Sequence, residues 1–281
     1  MSYFSKKTVF ITGGAGGFGF AMAKQFGLAG ASIMLADINK AALEKAVSDL
    51  REMGVNSDLV ECDVTERASM HAASKRTQER FGPVHVLLNN AGVLTTGAVS
   101  DLSPSDWEWV FAVNVIGVVN GISAFLPSMK DHGQAAHIVN MSSIAGLKGM
   151  PFSGAYAASK SAVIGLSESL SAELEGSNIK VTILCPSFMK TNFFSSGEKR
   201  QSRYGGPSDI WHHTNTDVKN YLTSLLEAGD NPDIIAKFSI QSIQDGELFV
   251  TTNPNDKQMI LERFTDISNS FDNAEKSLKK Q

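Results

Sequence analysis

The chain predicts an α/β fold built on a doubly wound parallel sheet with helices on both faces, and three observations carry that prediction. Short apolar runs alternate with helical stretches from Thr8 to Cys185 at βαβ spacing, which calls for right-handed parallel crossovers. The first run stops at a glycine-rich turn that opens a helix, and the second ends in an acid eighteen residues past the last glycine. At 281 residues and 42% apolar composition, the chain suits one domain over 1–281 better than two independent cores.

The first strand, 8–11, ends at Thr12-Gly13-Gly14-Ala15-Gly16-Gly17-Phe18-Gly19, after which Ala21, Phe26 and Leu28 sit among helix formers. Glycines there let the backbone bend sharply and approach a pyrophosphate, which rests on the free N–H groups of the helix N-terminus. The second strand, 31–36, ends in Asp37, placed to accept hydrogen bonds from the adenosine ribose hydroxyls. The same carboxylate repels a 2′-phosphate, and Ile38-Asn39 offers no basic group to receive one, so NAD is favoured over NADP. Lys40 is the one nearby cation that opposes this preference.

A helix over about 40–52, a strand over 58–62, a helix over about 66–81 and a strand over 84–88 follow. Asp63-Val64 closes the third strand, where an adenine ring would lie, and Asn89-Asn90-Ala91-Gly92 closes the fourth at the topological switch point. From Trp107 to Met129 the pattern is apolar nearly all round, as expected of a helix buried on two sides by its own sheet and a partner subunit. Asn114 inside it is a poor helix former and needs bonded partners if buried.

The fifth strand, 137–141, leads into Ser142-Ser143, and a helix follows with Tyr156 and Lys160 one turn apart on one face. That spacing alone also suits ordinary helix surface. A phenol serving as a base near neutrality needs its pKa lowered by roughly two to three units, and a neighbouring ammonium supplies part of that. The helix carries an apolar stripe of Ala158, Ala162, Val163, Leu166, Leu170 and Leu174, and Gly165 within it suggests close packing against another backbone. A sixth strand over 180–185 leaves through Pro186.

Residues 188–229 exceed the usual loop length and read as a lid holding Phe193, Phe194, Tyr204, Trp211 and Tyr221. Together with Leu94, Leu147, Met150 and Phe152, Phe193 and Phe194 predict an apolar, aromatic-rich substrate pocket for a bulky hydrophobic secondary alcohol or its ketone. Lys199, Arg200 and Arg203 suit either solvated lid charge or a substrate anion. A helix over 233–243, a last strand over 248–250 and an amphipathic helix on Ile260, Phe264, Ile267 and Phe271 complete the chain, with a C-terminal helical extension over about 256–281.

Net charge of −4 with interspersed signs argues against nucleic-acid binding. No uninterrupted apolar run approaches membrane-span length, and no leader pattern precedes the first strand, so a soluble cytoplasmic protein is expected. Cys62 and Cys185 are expected as free core thiols, and no set of Cys, His and carboxylate with metal-ligand spacing occurs.

Thr12-Gly13-x-x-x-Gly17-x-Gly19, Asp63-Val64, Asn89-Asn90-Ala91-Gly92, Asn114, Ser143, Tyr156-x-x-x-Lys160, and Pro186 with Thr191 stand in one order over about 5–195. In this set the chain resembles the short-chain dehydrogenase/reductase family, in its compact form with a Rossmann-type fold, and less closely the family's lignin-dimer Cα-dehydrogenases. The resemblance implies that Tyr156 exchanges a proton with the substrate oxygen while Ser143 holds that oxygen. It implies that Lys160 lowers the tyrosine pKa and holds the nicotinamide ribose, and that the Asn114 backbone carbonyl places a relay water. Gly13, Gly17, Phe18, Gly19, Asp37, Asp63, Val64, Asn90, Ala91, Gly92, Pro186, Met189 and Thr191 would line the NAD site, with a homodimer or homotetramer expected. Ser187 stands where the family often has glycine. A protein of the same fold that binds NAD as a sensor without turnover is the alternative, which need not keep Ser143, Tyr156 and Lys160.

Overall fold

The computed structural model describes residues 2–211 and 213–279. Met1, His212, Lys280 and Gln281 lie outside the described residues; the end from Lys276 to Gln281, where fraying is expected, is helical as far as Leu278.

Seven strands, β1 (Thr8–Thr12), β2 (Ser32–Asp37), β3 (Ser57–Glu61), β4 (Val86–Asn89), β5 (Ala136–Met141), β6 (Ile179–Cys185) and β7 (Phe249–Thr251), form one sheet in the order β3-β2-β1-β4-β5-β6-β7. Every pairing is parallel. The chain winds outward from β1 to β3, then returns to place β4 on the other side of β1, so the β1 and β4 C-termini part at the switch point.

Period-two alternation sends neighbouring strand residues to opposite faces. Val9, Ile11, Ile33 and Leu35 bury against α1 (Gly17–Leu28), α2 (Lys40–Glu52) and α9 (Pro232–Asp245), while Phe10, Met34, Leu87 and Ile138 bury against α3 (Arg67–Phe81), α4 (Pro104–Phe111), α5 (Gly117–Asp131) and α7 (Gly154–Glu173). The short α6 (Ile144–Leu147), α8 (Thr216–Glu227) and α10 (Lys257–Leu278) complete the helices.

The apolar stretch expected as one helix is α4 and α5 joined by a π-helical turn, Ala112–Ile116. It starts earlier than the hydropathy pattern does because Pro104 and a Ser103/Asp106 capping box fix its first turn. Pro104–Asp131 is long and apolar enough to cross a membrane, but 56% of its most apolar window is buried within the protein, as befits a core helix. Its outer face leaves Ile116 and Val119 exposed.

For α7 one expectation fails and another holds in part. A Cβ at Gly165 would meet open space, so that glycine serves no close backbone approach. Of the apolar stripe, Val163, Leu170 and Leu174 are buried, but Ala158 is exposed, because the face turned to the sheet carries Ser159, Lys160 and Ser167 instead. Likewise α10 is amphipathic as expected, yet Leu261, Phe264, Ile267 and Phe271 are exposed; Arg263 Nη1 donates to the Leu147 carbonyl at 2.6 Å and ties the helix to the body.

The lid has its own secondary structure, which is why it is so long: 3-10 turns at Phe193–Lys199 and Ser202–Tyr204, then α8. Its two ends are joined, since Lys190 N–H donates to the Asp230 carbonyl and Asp230 N–H to the Phe188 carbonyl, each at 3.0 Å. Arg200 is no solvated charge. Its guanidinium is buried, donating to Asp106 Oδ1 at 2.6 Å and Ser105 Oγ at 2.9 Å above the Trp109 ring.

A buried polar chain fastens the centre of the sheet: Asn89 Nδ2 donates to Asn140 Oδ1, and Asn140 Nδ2 to Ser167 Oγ, each at 2.9 Å. Gly121 of α5 leaves room for it, for a Cβ there would sit 2.1 Å from Asn89 Oδ1. Gly121→Ala is expected to cost about 1–3 kcal/mol in urea unfolding through overpacking; an unchanged midpoint would show that the helix shifts freely.

Candidate active site

A cavity of 540 Å³ opens along the C-terminal ends of β1 to β6 beneath the lid. The glycine turn forms one wall. Gly13 and Gly17 adopt left-handed φ of 62° and 54°, and a Cβ on Gly19 would lie 2.3 Å from the Gly13 carbonyl oxygen. Gly16 faces open space and Gly17 has nothing nearer than Thr191 at 3.7 Å, so the start of α1 presents bare backbone to the cavity. That cradle fits a pyrophosphate on the N-terminal N–H groups.

Asn90 clamps the cradle, its Nδ2 donating to the Thr12 carbonyl at 2.9 Å and the Gly13 carbonyl at 3.1 Å. Thr12 Oγ1 returns the favour by accepting from the Asn90 and Ala91 N–H groups, each at 3.0 Å. Asn90 therefore holds the loop's shape with its amide already engaged. Asp37 lies at the β2 end on the cavity wall with Ile38, its Oδ1 accepting from Asn39 N–H at 3.0 Å; Lys40 is not among the lining residues. Asp63 and Val64 line the wall beyond, with Val64 held from behind by Asn120, whose Nδ2 donates to its carbonyl at 2.9 Å.

At the other end α7 brings Tyr156 and Lys160 against Ser143, which lies two residues past β5 and caps α6. Lys160 is 2% exposed and its Nζ donates to the Met141 carbonyl at 2.8 Å. The same Nζ stands 5.6 Å from the centre of the Tyr156 ring, whose other neighbour is Phe193, edge-on at 5.7 Å.

Burial governs both titrations. It pushes Tyr156 up to about 12 against a downward pull from the Ser143 hydroxyl, and Lys160 down to about 8. The expected lowering of the tyrosine by Lys160 is absent from the chain by itself, since desolvation penalises both charged forms and the ammonium bonds to Met141 instead of the phenol. Cys185, buried at the end of β6, has its thiol pushed up to about 12 by burial, so it is no thiolate here.

Asn114 lies on the π turn, fully buried and off the cavity wall. Its Oδ1 accepts from Val93 N–H at 2.8 Å, and its Nδ2 donates to the Val93 carbonyl and to Ser159 Oγ, each at 2.9 Å. The side chain thus fastens α7 and the strand-four loop to a π turn, a feature frequent at functional sites.

Gly13, Gly17, Phe18, Gly19, Ala91, Gly92, Pro186, Met189 and Thr191 all line the cavity, as do Leu94, Met150, Phe193 and Phe194. Phe152 does not. It has a left-handed backbone (φ 60°) and is 38% exposed, so its expected substrate role fails, as does that of Leu147, which is absent from the wall. In their place stand Phe188 and two leucines of α8, Leu222 and Leu226, whose i,i+4 spacing was the available signal. Of the expected lid aromatics, Tyr221 is 60% exposed and Trp211 supports Phe194 at 4.7 Å. Among the described residues no cluster suited to a metal ion occurs.

Comparison with known proteins agrees with this geometry. Residues 7–202 match the family described as short chain dehydrogenase. A C alpha-dehydrogenase of Sphingobium sp. is 33% identical over 271 residues, covering 96% of this chain and 88% of that protein. A short chain dehydrogenase/reductase from Burkholderia phymatum, solved in complex with NAD, superposes with a TM-score of 0.91 at 33% identity, covering 96% of this chain and 97% of that one. An actinorhodin polyketide ketoreductase solved with NADPH is more distant, at TM-score 0.75 and 28% identity over 90% of this chain and 97% of that one.

The raised phenol predicts a titration. In cofactor-free protein, the tyrosinate absorbance that Tyr156→Phe removes should develop only as pH approaches about 12; its appearance near neutrality would mean that charge, not burial, controls the group.

Proposed function

The chain belongs to the short-chain dehydrogenase family, and we propose that this oxidoreductase interconverts a bulky hydrophobic or aromatic secondary alcohol and its ketone with NAD. The observation that carries the proposal is one cavity lined at one end by the glycine cradle and Asp37, and at the other by Ser143, Tyr156 and Lys160.

A nicotinamide dinucleotide supplies the hydride chemistry when bound. The residues fit it: Gly16 to Gly19 would take the pyrophosphate, Asp37 the adenosine ribose, and Lys160 the nicotinamide ribose. In the reducing direction Tyr156 gives its phenolic proton to the carbonyl oxygen that Ser143 holds by hydrogen bond. In the oxidising direction it takes that proton back from the alcohol, which becomes the ketone only as its carbon-bound hydrogen would pass as hydride to an oxidised nicotinamide. Its raised pKa suits the donor role as it stands. The acceptor role needs the anion stabilised, by protonated Lys160 below about pH 8 and by the positive charge of an oxidised nicotinamide. The Asn114 carbonyl is then the group that orders a relay water near Lys160.

Preference for NAD rests on the Asp37 carboxylate at the ribose end, with Lys40 off the wall. The substrate class rests on Leu94, Met150, Phe188, Phe193, Phe194, Leu222 and Leu226. Exposed Ile116, Val119 and the Phe264-Ile267-Phe271 stripe of α10 favour a homo-oligomer. The two buried free thiols suit a reducing compartment such as the cytoplasm.

The test follows reduced-nicotinamide absorbance over aliphatic, aryl and steroid alcohols with each cofactor. Turnover of an aryl or other bulky secondary alcohol, faster with NAD than NADP, is expected. Faster turnover with NADP would overturn the role given to Asp37, and no turnover with any alcohol or ketone would favour a non-catalytic NAD sensor.

A further inference from the structure

Asp63 lies in the turn just after β3, at the adenine edge expected of a doubly wound cleft. Its Oδ1 accepts from the Thr65 N–H at 3.0 Å and the Thr65 hydroxyl at 2.7 Å. Its Oδ2 is taken by the lid, which returns to this point 138–140 residues later: Arg203 Nη2 donates to it at 2.8 Å and Gln201 Nε2 at 3.2 Å. Arg203 also contacts the Thr65 hydroxyl, and its Nη1 lies 2.7 Å from Glu66 Oε1. One guanidinium thus grips three residues, Asp63, Thr65 and Glu66, of the turn and helix start after β3.

Gln201 lines the cavity as well. Because a carboxylate only accepts, the amide nitrogen must face Asp63, which leaves Oε1, a buried acceptor without a partner. The two ends of this short strap differ. Arg200 is anchored in a buried ion pair, whereas the Arg203 side chain is 42% exposed and its pairs are open to screening by salt. The Arg203 end is therefore the more weakly held of the two.

We propose that Gln201–Arg203 is a clasp over the adenine end of the cofactor cleft. Gln201 Oε1 accepts from the adenine amino group, and the dinucleotide leaves only when Arg203 releases Asp63. The inference rests on the cleft taking a nicotinamide dinucleotide. It makes Arg203 a positioning residue that controls residence time and Gln201 a base-reading one, neither taking part in the chemistry.

Stopped-flow fluorescence of NADH release tests this on the full chain. Arg203→Ala should release NADH about five- to tenfold faster than wild type at low salt. Raising sodium chloride should speed wild-type release and leave Arg203→Ala unmoved. Arg203→Lys, with one ammonium for three acceptors, should fall between and serves as the comparison if Arg203→Ala unfolds early. Gln201→Ala should weaken NADH binding but not that of the analogue bearing hypoxanthine, which lacks the amino group. Release within about twofold of wild type at low salt, or equal salt response in both proteins, would overturn the clasp alone; equal weakening of both dinucleotides by Gln201→Ala would overturn the base reading. Failure of the wild type to bind either NADH or NADPH would overturn the dinucleotide reading itself and the clasp with it.

Discussion

Burying an ammonium and a phenol side by side is the constraint on which this site depends. Lys160 lies 2% exposed at the base of the cavity, held by one carbonyl at the end of β5. Desolvation disfavours its charge and also disfavours the Tyr156 anion, so the chain by itself keeps the tyrosine protonated and brings the lysine pKa down to about 8. On the proposed reading, giving up the phenolic proton suits this state, whereas accepting one needs the anion stabilised by protonated Lys160 and by the charge of an oxidised nicotinamide.

The surroundings serve to hold that pair. Asn114 spends its whole side chain joining the π turn to Val93 and Ser159, next to Lys160 on α7. Ser142 Oγ donates to the Lys160 carbonyl at 2.9 Å, and the Asn89–Asn140–Ser167 chain fixes the same helix to the middle of the sheet. On the proposed reading these residues act through the position of α7, whose buried face carries Ser159, Lys160 and Ser167 beside Val163 and Leu170.

Much of this was legible in the sequence because the signals were local. Strand ends, the glycine turn, Asp37 and the Tyr156–Lys160 spacing each follow from a few adjacent residues, and the order of the strands follows from the βαβ rule. What stayed hidden depends either on local backbone geometry or on distant partners. The capping box that starts α4 and the left-handed backbone that removes Phe152 from the pocket are matters of local geometry that hydropathy does not register. Arg200 and Arg203 read as surface charge until the fold brings Asp106 and Asp63 to them. Leu222 and Leu226 enter the pocket only because the lid folds as a helix, and the sign of the Tyr156 shift is set by burial that no spacing encodes.

The claim at the centre of this account is that the Tyr156 hydroxyl carries the proton. Single-turnover kinetics of Tyr156→Phe, with a substrate the wild type oxidises, test it most directly, alongside NADH affinity by fluorescence titration. The account predicts a fall in the chemical step of about a hundred- to ten-thousandfold with NADH affinity nearly unchanged. A variant whose chemical step stays within tenfold of wild type would contradict it.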